Sequence, residues 1–138
     1  MASVTHLNVE NDLTGHLLSN LPSGFTSEVV KLPNVKFTTP SNAKWMRATV
    51  ISPVVIDVDA SQCYKTYKGL FVVDLFYPKG SGSAAPLTAA QSIIDSYTKV
   101  AFAYSVSIDS NILVLGEEEN WYHVQINSDY LFSSYTAE

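Results

Sequence analysis

The chain has 138 residues, of which 46% are apolar and only 15% charged, with a formal net charge of −5. That length favours one domain with a single core of ordinary size, and no run of about 18 apolar residues offers a membrane span. The eight Lys and Arg are scattered, so no basic stripe exists to neutralise phosphates, and stable nucleic-acid binding is not expected.

Met1-Ala2-Ser3 leads into polar sequence with neither a basic n-region nor an apolar h-region, so no secretion signal is expected. Residues 4–21 place Leu13, Leu17, Leu18 and Leu21 on one side of a helix. Pro22-Ser23-Gly24 ends it, because proline cannot continue the hydrogen-bond ladder and glycine suits the exit turn. His16 beside the leucines reads as a helix-flank histidine, and His6 has no metal-ligand spacing to another His or Cys. From Lys31 to Ala43 the chain reads as an extended run, with Pro33 near its start and Pro40 near its end.

Residues 45–58 read as a strand that is interrupted or bulged at Pro53, whose missing amide hydrogen places the segment at a sheet edge or a bulge. Asp57 and Asp59 share a face near its end, but no third ligand or glycine turn accompanies them. Cys63, the only cysteine, has no partner for an intrachain disulfide, which fits a reducing compartment. Its acidic neighbours oppose thiolate formation, so it reads as structural.

The second strand, 64–77, is "YKTYKGLFVVDLFY", and from Leu70 to Tyr77 it is apolar on both faces apart from Asp74. Such a strand is covered on both faces, by a helix on one and by something else on the other. Carboxylates are rarely buried unpaired. Asp74 is therefore expected either to pair with a cation, Arg47 on the neighbouring strand first, or to lie at a subunit boundary. "PKGSGSAAP" (78–86) is a flexible connection. It lacks the Lys-Ser/Thr that would close a phosphate-binding loop.

A helix follows, with Leu87, Ala90, Ile94, Tyr97 and Ala101 at three- and four-residue steps. Two strands, about 104–115 and 121–132, finish the chain. Glu117, Glu118 and Glu119 between them read as a solvated hairpin tip rather than a cation site. In the last strand Tyr122, Val124, Ile126, Tyr130 and Phe132 face one way, with Ser128 the only lapse. His123, Gln125, Asn127 and Asp129 face the other, giving one packed and one wet face. His123 accordingly reads as a surface residue. The element order predicts one α+β domain over 1–138, an antiparallel or mixed β-sheet with two helices packed on one side.

Nothing in this inventory assembles a nucleophile, a base and an oxyanion donor, and no cofactor or metal is expected. The shortage of charge points elsewhere, since interface cores are depleted in Lys, Glu and Asp. In order and spacing, "LPNVKFTTP", "WMRATV", "YKTYKGLFVVDLFYPKGSGS", an alanine-containing helix and "NWYHVQINSDYLF" resemble the tail-terminator (tail-completion) proteins of long-tailed bacteriophages. The resemblance covers about residues 5 to 132. It implies a homo-oligomeric, six-membered ring at the head-proximal end of the virion tail, assembled in the host cytoplasm. Such a ring caps the tail tube protein, stops its polymerisation and offers a surface to the head-tail connector protein.

On that reading Lys31 to Ala43 is an arm crossing the subunit surface, anchored by Trp45. Subunit or tube contacts are expected at Asp74, at Lys79, Gly80, Ser81, Gly82 and Ser83, and at Glu117, Glu118 and Glu119. Lys79 is placed to meet the acidic turn or a tube carboxylate. A different neck or connector subunit, or a small enzyme using Cys63 or a carboxylate pair, remain the alternatives.

Overall fold

Helix α1 (His6–Ser19) starts at Thr5, whose hydroxyl accepts from the Asn8 amide while Asn8 Oδ1 accepts from the Thr5 amide, both at 3.1 Å. This reciprocal cap satisfies two otherwise orphaned donors. A 3-10 turn (Ser27–Val29) leads into the two-residue strand β1 (Val30–Lys31). Then come β2 (Trp45–Val58), β3 (Tyr64–Pro78), α2 (Ala84–Tyr97), β4 (Val106–Glu118) and β5 (Trp121–Tyr135). The computed structural model describes residues 5–58, 60, 64–80, 82–98, 100–102 and 105–135, without the side chains of 52, 57, 106, 108, 134 and 135. Asp59, Cys63 and Ser81, all singled out in the sequence, lie outside the described residues, as do residue 104, where a strand was expected to begin, and the side chain of Asp57.

The sheet order is β1-β2-β3-β5-β4, with β1 parallel to β2 and every other pair antiparallel. The fold is thus α+β with a mixed sheet. Period-two alternation sends Phe71, Val73, Leu75 and Tyr77 of β3 to one face, where Met46, Ala48, Val124 and Ile126 flank them. Val9, Leu13 and Leu17 of α1, with Ala89, Ala90, Ile93 and Tyr97 of α2, complete this core. Tyr97 Oη donates to the carbonyl of Leu13 at 2.5 Å, and His16 Nε2 donates to that of Ser96 at 2.6 Å. The His16 ring also sets its edge against Tyr97 and Phe102, so this histidine ties the two helices together.

Several boundaries shift from the sequence expectation for physical reasons. α2 begins three residues before Leu87 because Pro86, in the first turn, sacrifices an amide that has no helical partner there. Its buried stripe runs through Ala89 and Ile93, leaving Leu87 and Ile94 at the margin. β4 continues to Glu118, so two of the three glutamates belong to a strand end and only Glu119, at φ 51°, turns. Ser128, the lapse in the packed face of β5, is buried against the hydroxyls of Ser110 and Ser107.

Among the described residues β2 is open on its outer side beyond Arg47, the last residue that β1 pairs, and Pro53 stands in that open stretch, within the first of two register shifts, the one between Ile51 and Val54. This matches its inability to donate to a ladder. Inside the sheet, β5 reaches across β3 at one point. Tyr130 lies over Gly69, where a Cβ would come within 2.4 Å of its ring, and its hydroxyl donates to the Ile51 carbonyl at 3.1 Å.

Burial raises the phenols of Tyr77 and Tyr97 and pushes that of Tyr130 up to about 12. Because these folded-state values exceed the unfolded one, near 10, the unfolded chain releases protons first. Stability should therefore hold below pH ~10 and fall as pH rises toward about 12 and beyond. Urea midpoints measured at stepped alkaline pH check this, and Tyr130→Phe should flatten part of the fall.

Candidate functional site

The face of the sheet turned away from the helices carries the polar residues that the sequence singled out. On β3, Val72, Asp74 and Phe76 alternate with the core residues and are themselves buried. The chain covers them itself. Trp45 stacks on Phe76 at 4.3 Å between ring centres, Phe76 on His123 at 4.4 Å, and Phe37, from the run between β1 and β2, lies over Trp45 at 5.5 Å. The second cover expected for this strand thus comes from within the subunit, and the run ahead of β2 supplies part of it.

Asp74 is 2% exposed and its carboxylate is fully engaged. Oδ2 accepts from Arg47 Nε at 3.2 Å and Nη2 at 3.1 Å; Oδ1 accepts from His123 Nε2 at 2.7 Å and Gln125 Nε2 at 2.9 Å. The pairing with Arg47 that the sequence suggested is present. His123 Nδ1 in turn lies 2.5 Å from Glu118 Oε2. The imidazole thus bridges two carboxyl groups, one through each ring nitrogen. The middle of this chain is buried, while Arg47 and Glu118 reach water at its ends.

His123 is therefore not the surface residue that alternation suggested. β3 pairs with β5, which sets Phe76 opposite His123 and Asp74 opposite Gln125; that pairing was the missing signal. The same adjacency gathers other predicted residues at one end of the sheet. The Lys79 amide donates to the Asn120 carbonyl at 3.1 Å, and Lys79 Nζ lies 3.6 Å from Glu117 Oε2 with both side chains exposed. Gly80 and Gly82 are exposed, at φ 91° and 86°, and Ser83 precedes α2 without a side-chain cap. Asp74, Lys79, Glu117 and Glu118 thus belong to one neighbourhood, with the glycine loop at its rim.

This arrangement ties β2, β3 and β5 together on the face turned away from the helices. His123 bridges its carboxylates through opposite ring nitrogens, so they do not converge on a point, and no group of three or more metal-ligating side chains occurs among the described residues. A cleft of about 550 Å³ beside the start of α2 is lined by Ser23, Lys44, Tyr77, Ala85, Thr88 and Ser92 among others. Among the described residues no helix is long and apolar enough to cross a membrane.

A second feature was not singled out in the sequence. Ile51, Val54, Val55, Ile56 and Val58 of β2 are exposed, Val54 at 64%, and so are Leu113, Val114 and Leu115 of β4. Consecutive exposed positions mean that both faces of those stretches are uncovered. The two apolar stretches lie on opposite edges of the sheet.

A family model described as phage tail terminator protein matches residues 11–127. A solved structure superposes with a TM-score of 0.70 at 18% identity, covering 98% of this chain and 98% of its own, which establishes the likeness of fold. No curated protein matches the sequence.

Proposed function

The chain belongs to the phage tail terminator family, a structural family of the virion tail, and from that premise we propose that it forms a ring, most simply a hexamer, that caps the tail tube. The ring stops tube polymerisation at the head-proximal end and presents a surface to the head-tail connector protein. The observation that carries this reading is the pair of uncovered apolar stretches on opposite sheet edges. A ring closes only through a heterologous contact, which uses two different patches on each subunit.

The contact with the tube or a neighbour is assigned to the loop residues Lys79, Gly80, Ser81, Gly82 and Ser83 and to Glu117, Glu118 and Glu119, two segments that approach each other where Lys79 pairs with Glu117. Asp74 supports the acidic segment from beneath by holding His123, which holds Glu118. The exposed Lys79–Glu117 pair contributes only about 0–1 kcal/mol, so it sets register more than affinity.

Electron microscopy of particles made without this protein tests the reading. Tails of uncontrolled length, unjoined to heads, are expected. Tails of normal length that merely fail to join would assign the chain to the connector instead. Deleting Gly80–Ser83 should leave melting unchanged yet reproduce the tail defect, and normal particles from the deletion would make the loop a passive connection.

A further inference from the structure

We propose that the contact between neighbouring subunits seats the far half of β2 of one copy on the free edge of β4 of the next, through side chains rather than by extending the sheet. The proposal rests on the ring reading above and names its interface.

Three observations carry it. First, the apolar surfaces are complementary in kind and opposite in position: Val54, Val55 and Ile56 on one outer edge, Leu113, Val114 and Leu115 on the other. Neither patch can cover the other within one chain, because β3 and β5 stand between them. A second copy can cover both. Second, charge is complementary. Exposed Lys65 lies on β3 directly opposite Val58, and Lys68, which stands 4.0 Å from Asp129, lies opposite Val54, whereas the β4 patch is followed at once by Gly116 and the exposed glutamates 117–119. Such fields steer encounter and fix orientation. Like patches of β2 would oppose lysines to lysines, which disfavours a two-fold dimer.

Third, both edges are built against regular strand addition. β2 carries Pro53 and two register shifts, and β4 shifts between Ser107 and Ser110 and again between Val114 and Gly116. Bulges and proline are devices that prevent edge-to-edge pairing.

The test uses two exposed substitutions, Ile56→Lys on the β2 side and Leu113→Lys on the β4 side, in the full chain. Melting curves confirm folding; Val54→Lys and Leu115→Lys replace either variant that melts early. Mass photometry, alone and on purified tail tubes, reads assembly. Each variant should remain monomeric, with apparent affinity lowered at least ~100-fold by a charge placed in an apolar contact. Mixed in equal amounts, the two variants retain one intact β2 patch and one intact β4 patch. They should form a dimer and no ring. Rings from either variant alone, or a β4 variant that still pairs as well as wild type, would overturn the interface while leaving the ring reading intact. Wild-type protein that stays monomeric both alone and on tubes would overturn both.

Discussion

Asp74→Ala should lower stability by about 3–5 kcal/mol, the cost of removing one partner from a buried ion pair. The loss is large because four donors converge on this carboxylate and two of them, from His123 and Gln125, lie within the covered face. Without Asp74 the His123 ring keeps only Glu118, and the Arg47 head must turn outward to water. At a few degrees per kcal/mol for a chain of this size, the melting temperature should fall by about 10–20 °C. Arg47→Ala should cost less, since Arg47 already reaches solvent and the remaining donors still satisfy the carboxylate. Calorimetry on both variants checks the order. Equal losses would mean that the His123 and Gln125 bonds contribute nothing.

Tyr97→Ala should be comparably damaging, about 3–5 kcal/mol, through the cavity left by a fully buried aromatic. Tyr97 stands between the two helices: its ring meets Phe71 of the sheet and His16 of α1, and its hydroxyl bonds the Leu13 carbonyl. Tyr97→Phe separates the contributions, keeping the packing and losing the hydrogen bond, and should cost roughly 1 kcal/mol. Urea midpoints for the pair measure both. If the phenylalanine variant fell as far as the alanine one, the helices would be joined by the hydroxyl rather than by packing.

How much of this was legible beforehand depended on the range of the interaction. Alternation along β5 named its core face correctly, and Pro53 announced an open edge, because both are properties of a few consecutive residues. The Asp74–Arg47 pair was within reach because β2 and β3 are neighbours in sequence. His123 was misread because β5 inserts beside β3, and alternation says only which residues share a face, not which strand lies alongside. Nor could periodicity reveal that Val54 to Ile56 stay uncovered. Their apolar character reads as burial, and only the placement of the helices shows that no layer reaches them.

The crossing of Tyr130 over Gly69 bears on how assembly would proceed. Its hydroxyl grips the Ile51 carbonyl at the register shift where β2 begins its uncovered half, and the missing side chain at Gly69 lets the ring lie flat in the way. A stretch that fluttered on its own would have to surrender that freedom each time a neighbour arrived, and ordering a loose segment subtracts directly from affinity. A strut anchored at the bend instead presents β2 already aimed. Successive copies would then meet at one angle, and a constant angle between copies is what decides whether a row of them returns to its starting point.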